Sequence, residues 1–157
     1  ILLKPAEVRF ARNWEPNRGG RSAVGRLNAA DMAAIQADLA TMLQDIFREE
    51  LAAGGYELVG EPGPDTLIVI PAIVDLYITA PDTMTAGRSR TYTANSGRMT
   101  LVLELRDSVT GEVLARVVDT RSGRNSGMMQ ITNRVTNSAD ARRAIRTWAQ
   151  ALRGGLD

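Results

Sequence analysis

Residues 62–79 read PGPDTLIVIPAIVDLYIT and form the most continuously apolar and β-branched stretch of the chain. Residues 62–65 have the composition of a rigid turn, and two apolar runs, 67–70 and 72–74, follow it. Both runs are too short to span a membrane, so they predict the central strands of a sheet, covered on both faces. Pro71 separates the runs and lacks an amide N–H, which predicts a bulge or an edge position there.

Composition limits the chemistry that the chain can perform. Its 157 residues fit a single domain, 1–157, with a core of ordinary size. The absence of cysteine excludes disulfides, thiolate metal sites and cysteine nucleophiles, and the absence of histidine removes the commonest general base and metal ligand. Nineteen basic residues against eighteen acidic ones give a net charge of +1, so no overall field draws the chain to nucleic acid. We expect no cofactor, no metal and no nucleic-acid partner.

The segment before the first helix is predicted to contain a strand and a loop. In residues 2–11, Val8 and Phe10 alternate with Arg9 as in a half-buried strand, and Pro5 favours an edge position. Residues 13–26 are typical of an exposed loop. Trp14 is the only large apolar side chain of that loop, and packing beneath it is the simplest role for this residue.

Two helices are indicated by apolar residues at spacings of three and four. The first spans 28–53, with Asn28 as its N-cap, Asp31 at the third helical position and glycines at 54–55 to end it. The second runs from an Asn137 cap to about residue 152. Each helix has one apolar stripe, so both are expected to pack on one face of the sheet.

The remaining strands complete the predicted fold. Residues 56–59 suggest a short strand, 99–106 alternate with a period of two, 107–111 have the composition of a hairpin turn, and 112–120 return. The predicted fold is therefore α+β, in the order β-α-β-β-β-β-α. It is an antiparallel or mixed sheet of about four to six strands, with two helices on one face.

Three segments carry a resemblance to a known family. GGYELVGEPGPDTLIVIPAIVDLYIT (54–79), GEVLARVVDTRSG (111–123) and SADARRAIRTWAQAL (138–152) resemble a bacterial family of small predicted lipoproteins of unknown function, over residues 2–152. The resemblance implies a signal peptide and a lipidated cysteine upstream of Ile1. It thus implies a position on the periplasmic side of the cell envelope, with membrane contact only through that anchor. It supplies no catalytic residues.

A separate functional prediction comes from the order of the strands. If the strands form an antiparallel meander, the loops at 80–98 and 121–136 leave and enter the sheet at the same end. These loops carry arginines that no nearby acid in sequence balances, with Tyr92 as an aromatic neighbour. The predicted binding residues are Arg88, Arg90, Arg98, Arg121, Arg124, Arg134 and Tyr92. Arginine forks suit phosphate and carboxylate groups, so we expect a non-catalytic module that binds an anionic envelope component or a protein partner there.

Three alternatives stay open. The arginines could pair instead with acids between Asp31 and Glu50 on the first helix. The strands could continue through both loops as a long arm, which would favour strand addition or a homo-oligomer. Lastly, Asp75 and Asp119 both follow apolar strand segments, and two carboxylates suffice for glycoside hydrolysis, so a carboxylate-dependent hydrolase is the alternative function.

Overall fold

The computed structural model of the protein describes residues 1–14, 28–77, 98–122 and 134–156, with 134–140 described by their backbone only. The elements are β1 (Leu2–Leu3), β2 (Glu7–Phe10), α1 (Ala29–Ala53), β3 (Leu67–Tyr77), β4 (Arg98–Asp107), β5 (Val113–Ser122) and α2 (Arg134–Leu156). The strands form one five-stranded mixed sheet in the order β1-β3-β4-β5, with β2 also paired to β3. The predicted α+β architecture is confirmed.

The order of the elements differs from the prediction in the first half of the chain. The N-terminal strand is divided into β1 and β2, and both run parallel to β3. Residues 56–59 are not a strand. Two of their backbone groups bond Ile1, whose amino group donates to the Glu57 carbonyl at 2.6 Å and whose carbonyl accepts from the Val59 N–H at 2.9 Å. Hydrogen bonds to a single residue are too few to form a β-ladder.

Helix α1 begins as predicted. The Asn28 side chain accepts from the Asp31 N–H at 2.8 Å, and the Asp31 carboxylate accepts from the Asn28 N–H at 3.1 Å. This reciprocal pair satisfies two donors at the helix start. The helix ends at Gly54, and its buried residues are Leu39, Leu43, Ile46, Phe47 and Leu51.

Helix α2 is longer than predicted at both ends, since it extends from Arg134 to Leu156. Gly154 and Gly155 lie inside its last turns, although glycine is a poor helix former. Ile145, Trp148, Ala149 and Leu152 form its buried stripe. Tertiary packing of that stripe explains why the helix continues beyond its sequence signals.

The core lies between the helices and one face of the sheet. Val69 and Ile73 of β3 and Leu101 and Leu103 of β4 alternate toward the helices and are almost fully buried. The opposite face of β3, which carries Ile68, Ile70, Ala72 and Val74, is only half-buried. The expectation that both faces of β3 are covered is therefore met on the helix side only, as far as the described elements show.

Trp14 packs as expected. It is buried and stacks on Phe10 with ring centroids 4.3 Å apart and planes inclined by 6°. Ala11, Met32 and Ile35 complete this small cluster between β2 and the start of α1.

Pro71 occupies neither a bulge nor an edge. It lies in the central strand, and the β3–β4 pairing is regular from Leu67 to Val74, with the irregularity further on, at Asp75. Lys4 donates to the Val69 carbonyl at 2.9 Å, so Val69 and Pro71 both direct their backbone groups toward β1 and β2. Pro71 faces the interval between these two short strands, so its missing N–H costs the sheet no β3–β4 hydrogen bond.

Candidate functional site

One row of residues marks the end of the sheet at which the arginine-rich segments attach. Tyr77, the last residue of β3, pairs with Arg98, the first of β4, and Arg98 pairs with Ser122, the last of β5. The segments 78–97 and 123–133 therefore start or finish at this row. We call this end of the sheet, where β3 and β5 finish and β4 begins, the arginine end. The predicted shared end for both loops follows from this antiparallel pairing.

Two of the predicted binding residues lie within the described strands. Arg98 is exposed, and no described acid pairs with it. Arg121 is exposed and donates from Nε to Asp119 Oδ2 at 2.8 Å. Arg134 opens α2, with its side chain outside the described part of the chain. Arg88, Arg90, Tyr92 and Arg124 lie outside the described residues.

The acids near the end of α1 are engaged by helix arginines. Glu50 Oε2 accepts from Arg153 at 2.9 Å, and its Oε1 lies 3.5 Å from Arg146. Glu49 also lies 3.5 Å from Arg146, and Asp45 pairs with Arg48 at 3.2 Å. Within the described residues, these acids neutralise arginines of the helices, and none of them reaches Arg98 or Arg121.

Asp119 is held on the helix side of the sheet. Its Oδ2 accepts from Trp148 Nε1 at 2.6 Å as well as from Arg121. The Trp148 hydrogen bond, followed by the hydrogen bond and positive charge of Arg121, keeps the pKa of Asp119 below its ordinary value despite an opposing effect of burial. Asp119 is thus an ionised acceptor that joins β5 to α2.

Asp75 and Asp119 do not form a close pair of strand neighbours. Asp75 lies in the bulge of β3 at φ 52°, a left-handed conformation that aspartate adopts more readily than most residues, and it is exposed. Asp119 lies two strands away, opposite Leu101, so the lateral separation of the backbones alone is about 10 Å. Among the described residues no group of three or more acids could hold a metal ion.

The strand β5 was predicted, but the exposure of its apolar residues was not. β5 pairs only with β4 among the described elements. Its exposed fractions are 45% for Val113, 57% for Leu114, 46% for Val117 and 61% for Val118. The signal was present in the sequence. Adjacent apolar pairs at 113–114 and 117–118 place apolar groups on both faces of the strand, whereas a strand with one buried face shows strict alternation.

Fold and site together define an α+β domain with a charged sheet end and an exposed apolar edge strand. A family model described as "Protein of unknown function (DUF3313)" matches residues 20–152. The chain belongs to this family, which confirms the predicted membership of a family of unknown function. No curated protein matches the chain. None of the described helices is apolar over a stretch long enough to cross a membrane.

Several solved structures are similar in part. A Xanthomonas campestris protein of the family DUF330 shows 14% identity and a TM-score of 0.43, over 72% of this chain and 57% of its own. The PelC dodecamer from Paraburkholderia phytofirmans shows 15% identity and a TM-score of 0.46, over 94% of this chain and 86% of its own. A candidate lipoprotein from Caulobacter crescentus shows 12% identity and a TM-score of 0.34, over 76% of this chain and 85% of its own.

Proposed function

We propose that the chain is a non-catalytic module of the cell envelope that binds an anionic component at the arginine end. The proposal places it on the periplasmic side, tethered by a lipid anchor upstream of Ile1. The row Tyr77, Arg98 and Ser122 carries the proposal, since it brings the attachment points of both arginine-rich segments to one end of the sheet.

The charges elsewhere in the fold support this assignment. Glu49 and Glu50 are engaged by Arg146 and Arg153, so the acids of α1 do not neutralise the described arginines of the sheet end. Arg98 has no described acidic partner. Arg121 shares its carboxylate, Asp119, with Trp148. A guanidinium that is exposed and unpaired is suited to bind phosphate or carboxylate oxygens in two-pronged geometry.

Binding to anionic surfaces tests the proposal. The probes are phosphatidylcholine vesicles with and without phosphatidylglycerol, which display phosphate, and isolated peptidoglycan sacculi, which display carboxylate. We expect sedimentation with one anionic probe and none with phosphatidylcholine alone. The variant Arg98→Ser/Arg121→Ser should weaken binding roughly tenfold if each lost contact is worth about 0.7 kcal/mol.

A matched variant separates a site from overall charge. Lys4→Ser/Arg48→Ser also removes two positive charges, from exposed side chains before β2 and in the C-terminal half of α1, outside the arginine end. It should leave the binding unchanged at fixed ionic strength. Equal losses in the two variants, or binding by neither probe, would overturn the anion site.

The tether has its own test. Mass spectrometry of the full-length protein from its native membranes should show an acylated cysteine upstream of Ile1. An unmodified protein recovered without membranes would refute the anchor while leaving the anion-binding result to stand separately.

The absence of catalysis is also part of the proposal. It is supported by the environment of Asp119, whose Oδ2 accepts hydrogen bonds from Trp148 and Arg121. The alternative is a hydrolase in which Asp75 and Asp119 act as a pair. Release of soluble fragments from sacculi by the wild-type chain, but not by Asp75→Asn, would establish that alternative.

A further inference from the structure

The outer edge of β5 is long and regular. Ten residues, Val113–Ser122, pair with β4 on one side, and no described element pairs with them on the other. The strand contains no proline or glycine, and its pairing shifts only at its start, near Arg106. An unprotected edge of this kind is a template for pairing with another strand.

Both faces of this edge are open to a partner. Val118 lies on the face that the helices leave free, and Val117 lies on the helix-bearing face. Val117 is nevertheless 46% exposed, so α2 does not extend over the outer side of β5. A further strand can therefore approach without meeting a helix.

The opposite edge of the sheet is protected. Gln44 of α1 accepts from the Ala6 N–H at 2.8 Å, and Gln36 donates to the Val8 carbonyl at 2.9 Å. These two glutamines bond the backbone at Ala6, just before the outer strand β2, and at Val8 within it, and β2 is only four residues long. Among the described elements, the fold thus closes one edge of its sheet and leaves the other without a paired strand.

We propose that β5 is the pairing edge for a second copy of this chain, joined antiparallel about a two-fold axis into one continuous sheet. In a two-fold contact the β5 edges of both copies pair with each other, so neither is left free. The remaining edges carry Gln36 and Gln44, so the assembly stops at two copies. Because, among the described strands, only the β5 edge can accept another strand, the chain should form a dimer and not a continuous polymer of sheets.

Geometry and charge restrict the register of this pairing. Directly opposite residues of antiparallel strands share a face, so the axis must pass through a residue position that pairs with its own copy. An axis at Arg116, Asp119 or Arg121 sets like charges opposite each other, which is destabilising. An axis at Val117 or Val118 uses nearly the whole strand, opposes valine to valine, and leaves each charged residue opposite an uncharged one.

Single cysteines test this register, because the chain has none of its own. Val117→Cys or Val118→Cys should form an intermolecular disulfide under mild oxidation, since one of these positions faces its own copy across neighbouring strands. Leu114→Cys is the matched control on the same strand. Its two copies would lie about 20 Å or more apart, and it should not cross-link.

Sedimentation equilibrium of the full chain supplies the second measurement. We expect a reversible dimer whose dissociation constant rises at least tenfold in Val118→Lys, where the axis brings the two lysines together or next to each other. Val109→Lys changes another exposed valine, in the β4–β5 turn, and should leave the dimer intact.

Three outcomes overturn the inference. The first is a wild-type chain that stays monomeric at all concentrations without cross-linking. The second is a dimer that is insensitive to Val118→Lys. The third is cross-linking as strong at Leu114→Cys as at positions 117 and 118. The inference does not depend on anion binding, since loss of the Arg98 and Arg121 side chains should leave the disulfide pattern unchanged.

Discussion

Trp148 of α2 donates its indole N–H to Asp119 Oδ2 of β5 at 2.6 Å. This hydrogen bond ties the second helix to the edge strand of the sheet. Trp148 and Arg121 lower the pKa of Asp119, so its carboxylate stays ionised to a lower pH than an ordinary aspartate.

Replacing Trp148 with phenylalanine should reveal the contribution of this carboxylate through its dependence on pH. A lowered folded-state pKa stabilises the protein above the ordinary value of 3.8, and that stability is lost as the pH falls through the folded-state value. At neutral pH the variant should lose about 1 kcal/mol of hydrogen bonding. Urea unfolding followed by circular dichroism should show this difference shrinking in acid. A loss that is independent of pH would indicate packing alone, and Trp148→Phe in an Asp119→Asn background supplies the control.

Glu50 should matter much more to stability than its neighbour Glu49. The Glu50 side chain is 13% exposed and contacts Arg146, Gln150 and Arg153, whereas Glu49 is 67% exposed and contacts Arg146 at 3.5 Å. Glu50→Ala leaves Arg153 and Gln150 without this acceptor and should lower the free energy of unfolding by roughly 1–3 kcal/mol. Glu49→Ala should change it by less than about 0.5 kcal/mol. Similar effects in the two variants would contradict the assignment of Glu50 as the α1–α2 link.

Gly111 offers a test of backbone strain in the β4–β5 turn. Its φ of +73° is in the left-handed region, and a Cβ added there would meet no atom within 4 Å. Gly111→Ala should therefore cost about 1 kcal/mol through backbone conformation alone. Gly60→Ala is the control, because its Cβ would also meet nothing and no left-handed φ is involved. Equal thermal shifts for the two variants would remove strain as the explanation.

Gln36 and Gln44 of α1 should prevent another strand from pairing with β2. Gln44→Leu leaves the Ala6 N–H without its acceptor and should cost about 1 kcal/mol. The double variant Gln36→Leu/Gln44→Leu also frees the Val8 carbonyl, and it should form higher assemblies in sedimentation velocity. Gln150→Leu changes a glutamine that donates to Glu50 of α1 and not to a strand backbone, so this variant should not form such assemblies. A double variant that sediments like wild type would show that the glutamines are not needed to block this edge.

The sequence correctly predicted the start of α1 and the β4–β5 turn, because residues close in sequence determine both. Asn28 and Asp31 form the capping box, and Asp107 accepts from Val109 and Thr110 in the predicted turn, with Gly111 in the left-handed conformation. Each of these contacts spans three residues or fewer in sequence, or depends on a single backbone angle. Short-range chemistry of this type is visible without knowledge of the fold.

Long-range pairings could not be predicted in the same way. Pro71 was expected to interrupt its strand, but its position opposite the gap between β1 and β2 depends on residues more than sixty positions earlier. Gly54 was expected only to end α1. It also gives room to Arg153, because a Cβ there would lie 2.8 Å from that side chain. The arginine end depends partly on residues outside the described chain, so Arg88, Arg90, Tyr92 and Arg124 remain predictions.

Because β1 runs parallel to β3, the N-terminus and the arginine end lie at opposite ends of the sheet. Leu2 pairs with Ile68 near the start of β3, whereas Tyr77 ends that strand about 30 Å away. A chain held from Ile1 would therefore present its arginines at the far side of the sheet, away from the point of attachment. In the β5-paired form the two copies run in opposite directions, so the attachment point of each copy lies at the same end of the joined sheet as the arginines of the other. Such a pair would lie along the surface that holds it, with the strands parallel to that surface.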